Sequence, residues 1–181
     1  MKKILYILTI TAVCSLFFGC SDDEWGNGDP AMEHVYYFGF EDWGKYDNKI
    51  TFSVKQGETI SIPVQFHSER TRSYDVTTYY YVYGDLANGV DYQVVDENGS
   101  ALQPDANGAF SVQWPKAVKG VKNVYIKGLN AATGSFTLAT FNPNDGKIEH
   151  TTEVMNITNS KTNDYEVRAF TQNYFRVVNV K

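Results

Sequence analysis

The chain has 181 residues, 43% of them hydrophobic and 15% aromatic, with 21 acidic against 16 basic side chains and a formal charge of −5. That acidity repels phosphate backbones and no basic run along the sequence offsets it, so nucleic acid is excluded as an expected partner. Both cysteines, Cys14 and Cys20, stand near the start, which leaves the body of the chain without a disulfide, a cysteine metal site or a cysteine nucleophile.

The first predicted element is a leader. Lys2 and Lys3 supply a positive start, Ile4 to Phe18 an apolar stretch interrupted by Thr9, Thr11 and Ser15, and Gly19 the small residue before Cys20. A stable membrane span needs about twenty apolar residues, and this stretch is shorter. Residues 1–19 are therefore expected to be removed, and with the two lysines gone the charge falls from −5 to −7. Cys20 followed by Ser21-Asp22-Asp23-Glu24 resembles a bacterial lipoprotein signal joined to the acidic export signal of Bacteroidetes surface lipoproteins. The resemblance implies a lipid on Cys20, an anchor in the cell outer membrane, and a domain facing the exterior. Each buried methylene contributes about 0.8 kcal/mol, so one acyl chain holds weakly and several hold almost permanently. Residues 20–31 are rich in Asp, Gly and Asn and read as a flexible acidic tether, which as a coil lets the domain stand roughly 20 Å from its anchor.

Residues 32–181 are predicted to form one domain of a size that buries its own core. Trp43 and Tyr46 come first, in the polar loop Glu41-Asp42-Trp43-Gly44-Lys45-Tyr46, where an indole is unexpected. Together they are a candidate sugar platform, or else a cover for one end of the fold. Beyond this loop the dominant period is two. Ile50, Phe52 and Val54 alternate with polar residues, as do Ile60, Ile62, Val64 and Phe66, and each set places its apolar members on one sheet face. Lys55-Gln56-Gly57-Glu58 between them suits a hairpin or a connection that changes sheets. Pro63 donates no ladder bond, so its strand is expected at an edge, or with that nitrogen turned outward.

Further strands are predicted at Tyr74 to Tyr83, Phe110 to Trp114, Val121 to Leu129, Ser135 to Phe141, Glu153 to Thr158 and Tyr165 to Val180. Thr171-Gln172-Asn173 breaks the alternation of the last run and divides it in two. Turn clusters such as Glu97-Asn98-Gly99 and Ala106-Asn107-Gly108 separate the strands. Many short strands rich in Tyr and β-branched residues make an all-β sandwich, with a closed barrel as the alternative.

Gly84-Asp85-Leu86-Ala87-Asn88-Gly89-Val90-Asp91-Tyr92 resembles the motif of Calx-beta domains, in which a strand leads through a small-residue loop to a Gly-x-Asp-Tyr step. The similarity runs on through Gly99 to Trp114 and Val124-Tyr125-Ile126, and implies an immunoglobulin-like sandwich over roughly Ile50 to Phe141. Calcium-binding members of that family carry an acidic run where this chain has Gly128-Leu129-Asn130. Hard cations need six to eight oxygens, so no metal and no cofactor is expected here. Asp91 and Asp96 are expected to cap their own turns.

No catalytic set emerges. The three histidines, His34, His67 and His150, stand at no metal-ligand spacing, and no nucleophile elbow is present. Adjacent carboxylates such as Glu41-Asp42 and Asp96-Glu97 point to opposite faces of a strand and cannot form a glycosidase dyad by themselves. The feature that stands out is aromatic: Tyr79, Tyr81 and Tyr83 fall on one face of their strand, opposite Val76, Thr78, Tyr80 and Val82. Both faces cannot be buried in a two-layer fold, so this tyrosine row is a candidate surface for glycan or an outer-membrane protein partner. Trp114 continues the inward set of Phe110 and Val112 and is expected in the core. The reading is a non-enzymatic binding or spacer module, with a structural subunit pairing through sheet edges, or a glycan hydrolase with distant carboxylates converging, as alternatives.

Overall fold

Alternating residues fill the space between two sheets in a computed structural model that describes residues 32–41, 48–131, 133–144, 157–170 and 172–181. The expected leader, Cys20 and the tether lie outside the described residues, as do Trp43 and Tyr46. Among the described residues eleven strands follow in order: β1 (Val35–Phe40), β2 (Thr51–Val54), β3 (Thr59–His67), β4 (Val76–Gly84), β5 (Tyr92–Val95), β6 (Ala109–Trp114), β7 (Gly120–Gly128), β8 (Gly134–Ala139), β9 (Thr158–Lys161), β10 (Glu166–Ala169) and β11 (Phe175–Val180). Sheet A has the order β5-β7-β3-β1-β10-β9 and sheet B the order β2-β11-β8-β4-β6. The chain is an all-β sandwich. Among the described residues no helix is long and apolar enough to cross a membrane.

The period-two pattern decides which face of each strand is dry. Ile62, Val64 and Phe66 of β3 meet Val76, Thr78 and Tyr80 of β4 and Phe110, Val112 and Trp114 of β6 in one core, all of them buried. Trp114 is its centre: the indole stacks on Phe66 at 5.1 Å and meets Phe38 edge-on at 6.3 Å. Its Nε1 donates to Thr78 Oγ1 at 2.9 Å, and that hydroxyl donates to the Val112 carbonyl at 3.4 Å, so the buried polar atoms are satisfied. Tyr92 of sheet A stacks on Phe136 of sheet B at 3.8 Å and ties the two layers again. Full burial of each ring of this size contributes about 1.5–3 kcal/mol.

Three strands escape the sequence pattern: β1, β5 and β9, the last running Thr158–Lys161 and sharing only Thr158 with the strand expected at Glu153 to Thr158, whose residues 153–156 lie outside the described residues. β1 reads as an unbroken apolar run: Tyr36, Phe38, Gly39 and Phe40 are buried and Val35 and Tyr37 half-buried, so the outward residues too are partly covered and the sequence shows no polar alternation. β5 is only four residues long and begins at Tyr92, the last residue of the Gly-x-Asp-Tyr step. The Lys55–Glu58 turn is the connection that changes sheets, since β2 belongs to sheet B and β3 to sheet A.

The edge position expected from Pro63 is not what forms: β3 lies inside sheet A, between β7 and β1. The β1–β3 register runs from Tyr37 opposite His67 to Phe40 opposite Val64, which brings Glu41 to Pro63. Glu41 N–H donates to the Pro63 carbonyl at 3.0 Å. The Glu41 carbonyl, which a residue other than proline would bond in return, accepts from Arg176 Nη2 at 2.8 Å. A side chain replaces the missing donor, and an interior strand tolerates proline where its ladder ends.

Candidate functional site

The outward face of sheet B follows from the registers of β4. Tyr79 lies opposite Ser111 of β6; Tyr81 lies between Ala109 of β6 and Ala139 of β8; Tyr83 lies opposite Thr137 of β8. The rows continue onto β11, where Ala139 meets Phe175 and Thr137 meets Val177, and onto β2, where Val177 meets Thr51. Paired residues share a face, so the tyrosines, Phe175 and Val177 form one outward surface edged by the hydroxyls of Thr137 and Thr51. Within it accessibility rises toward the far end of β4: Tyr79 and Tyr81 are half-buried and Tyr83 is 37% exposed.

Tyr79 is held by its backbone. β8 pairs only with Tyr81 to Gly84, so the earlier part of β4 has no strand on that side. Side chains from the β9–β10 hairpin fill the place. Asn159 Oδ1 accepts from Tyr79 N–H at 2.9 Å while its Nδ2 donates to the Tyr79 carbonyl at 2.6 Å and the Thr140 carbonyl at 2.8 Å. Ser160 Oγ donates to the Thr77 carbonyl at 2.6 Å, and Thr77 N–H donates to Tyr165 Oη at 3.1 Å. These bonds fix the strand that carries the tyrosine row and join the edge of one sheet to the other.

Next to Tyr83 lies a second aromatic group that sequence reading did not single out. Ala139, Phe141 and Tyr174 are buried on the outer side of sheet B, with Ile157 and Phe175 packed against them. Phe141 and Tyr174 are 5.3 Å apart, and Tyr174 meets Phe175 edge-on at 5.0 Å. Consecutive strand residues point to opposite faces, but Tyr174 precedes β11 and is free of that rule. Asn48 Oδ1 fixes both by accepting the N–H of Tyr174 at 2.9 Å and of Phe175 at 3.2 Å. The signal was the Tyr174-Phe175 pair directly after the predicted break at Thr171-Gln172-Asn173. Partial burial raises the Tyr83 hydroxyl above its ordinary pKa, and burial followed by the nearby Tyr83 raises Tyr174. Both remain neutral hydroxyls at physiological pH. The assembled surface offers a flat ring, apolar flanks and hydroxyl donors, a chemistry suited to stacking against a sugar or docking a protein.

The loop on which the Calx-beta resemblance rests uses its carboxylate internally. Asp91 Oδ2 accepts from Ala87 N–H at 2.8 Å, and Asn130 Nδ2 donates to Asp91 Oδ1 at 3.1 Å and to the Val90 carbonyl at 3.0 Å. These bonds, that of Ala87 foremost, hold the Asp91 carboxyl below the usual carboxylate range. Asp96 Oδ1 likewise accepts from Asn98 and Ser100 N–H, at 2.9 and 2.8 Å.

No protein-family model matches this sequence, and no curated protein does. Among solved structures, the chain is similar to AvmM, described as catalysing macrocyclization in alchivemycin A biosynthesis, with 14% identity over 82% of this chain and 88% of that one and a TM-score of 0.31. At that level the likeness says nothing about what this chain does.

Proposed function

We propose that this chain is a non-enzymatic surface lipoprotein, held on the cell outer membrane by lipid on Cys20, whose immunoglobulin-like, Calx-beta-like sandwich is a binding or spacer module for glycan or an outer-membrane protein. The observation that carries the binding role is the outward row of sheet B, where exposed Tyr83 stands beside Tyr81, Phe175 and the hydroxyl of Thr137. A sugar ring has an apolar face and a hydroxyl rim, and this row matches both. A glycan array probed with the purified protein, repeated with Tyr83→Ala, tests it: the variant should bind about tenfold more weakly, equivalent to roughly 1.4 kcal/mol. A blank array together with blank pull-downs from outer-membrane extract would end the binding reading and leave a spacer. Mass spectrometry of the amino-terminal peptide tests the anchor, and an unmodified Cys20 thiol would remove it.

Pairing through sheet edges is the weaker reading, because the edge strands are blunted. β2, β5 and β9 have four residues each. On β6, the Ala109 carbonyl accepts from Asp105 N–H while Ala109 N–H donates to Asp105 Oδ1, and the Gln113 carbonyl accepts from the Lys122 ammonium. A capped edge is a poor template for another chain.

A further inference from the structure

Folding gathers at one end of the sandwich a set of cations that the sequence keeps apart. The β3–β4 connection brings Arg70 and Arg72, the turn and loop between β6 and β7 bring Lys116 and Lys119, and the start of β7 brings Lys122. Arg72 N–H donates to the Lys116 carbonyl at 2.7 Å, which locks the two connections together. Arg70, Lys116, Lys119 and Lys122 are exposed and Arg72 is half-buried. Among the described residues the carboxylates at this end are Glu33, two residues before Val35, Glu69, Asp75 and Asp164, with Glu166 already occupied by Lys161 and Arg168 at 2.7 Å each. Among the described residues, five cations thus face four carboxylates at this end, in a chain that is acidic as a whole.

The same end is where the chain enters the sandwich. Val35, the first residue of β1, lies opposite Glu166, and two residues later Tyr37 lies opposite His67, the last residue of β3. Phe66 lies opposite Gly120, the first residue of β7. The strand direction separates this end from Tyr83, the most exposed ring of the tyrosine row: β4 starts here at Val76 and reaches Tyr83 seven residues on, roughly 23 Å away.

We propose that the end of the sandwich holding Arg70, Lys116, Lys119 and Lys122 docks on an anionic, phosphate-bearing lipid surface, the surface to which the chain is tethered. The proposal rests on the lipid-anchor reading above. Each basic side chain beside an anionic membrane favours the bound state by about fivefold. The attraction fades over a Debye length of about 8 Å, so without a tether it would be weak, and a tether about 20 Å long keeps the domain close enough to touch down. Docked this way, the domain turns Tyr83 away from the lipid and toward whatever it binds.

The test uses the native lipidated protein on phosphatidylcholine vesicles, with and without phosphatidylglycerol, and reads lysine acylation by mass spectrometry. Lys116 and Lys119 should be acylated several-fold more slowly on the anionic vesicles, while exposed Lys55 and Lys181 at the other end keep their rates. High salt should erase the difference, and the double change Arg70→Glu with Lys119→Glu at exposed positions should erase it at the remaining Lys116. Equal acylation of Lys116 and Lys119 on both vesicle types, with the protein still associated, would overturn the docking and leave the anchor standing. Failure to associate with either vesicle type would overturn the anchor and the docking with it.

Discussion

Asn159 occupies a position where a side-chain amide stands in for a stretch of missing strand. Its oxygen and nitrogen reproduce the acceptor and donor that β8 would offer to Tyr79, and the same nitrogen also satisfies Thr140. Replacing Asn159 by Ala should leave buried backbone groups without bonds and cost about 2–4 kcal/mol, lowering the thermal midpoint by roughly 5–15 °C. Asn159→Asp separates geometry from volume: the shape is kept, but a carboxylate oxygen then faces two carbonyls, and the loss should be at least as large. Equal stability of wild type and both variants in a thermal melt would remove this role. Tyrosines give a second prediction at this scale. Burial, and then the charge of Asp91, push the Tyr92 hydroxyl up to about 12, and burial raises Tyr80 as well. The folded state therefore holds these protons after an unfolded chain, with hydroxyls near the ordinary value of about 10, has released them. Stability is full below about pH 10 and falls as pH rises toward 12. An absorbance titration of phenolate formation should show these rings ionising only as the fold is lost.

Among the elements, the strands that alternate were legible and those that do not were hidden. β3, β4, β6, β7 and β8 follow the period of two because one face is wet, and the division of the final run into β10 and β11 was visible in the polar break before Tyr174. β1 was missed because sheet A encloses it between β3 and β10, and β5 and the all-polar β9, Thr158–Lys161 in place of the expected Glu153 to Thr158, because four residues carry too little pattern. Of the candidate site, the tyrosine face was readable from alternation. Its extension through Phe175 and Tyr174 was not, because it depends on which strands become neighbours across sheet B. Position-specific needs were equally silent. Gly128 donates to the Glu58 carbonyl and accepts from Gly57 N–H, both at 2.9 Å, and a Cβ there would run into the Lys55 carbonyl. Gly128→Ala should therefore push the β2–β3 turn off the end of β7 at a cost of about 1–3 kcal/mol. A lower denaturant midpoint, with faster amide exchange at Gly57, is the expected result.

At the scale of the whole sandwich, Trp114 is the contact through which sheet B grips Phe38 and Phe66 of sheet A. Trp114→Ala should cost about 3–5 kcal/mol, and far- and near-ultraviolet circular dichroism should still lose their signals together, since the two layers share one core. Separate midpoints for the two signals would show that the layers fold independently. The basic end escaped sequence reading for the reason that concealed the aromatic extension: residues 70–72 and 116–119 become neighbours only when two connections close over one rim. β1 carries a mechanical consequence. It lies between β3 and β10, with Phe38 and Phe40 fully buried, so a pull at Val35 along the strand stresses both flanking ladders in shear. Their bonds must then rupture together instead of peeling one by one, which makes the entrance to the sandwich the part best able to bear drag.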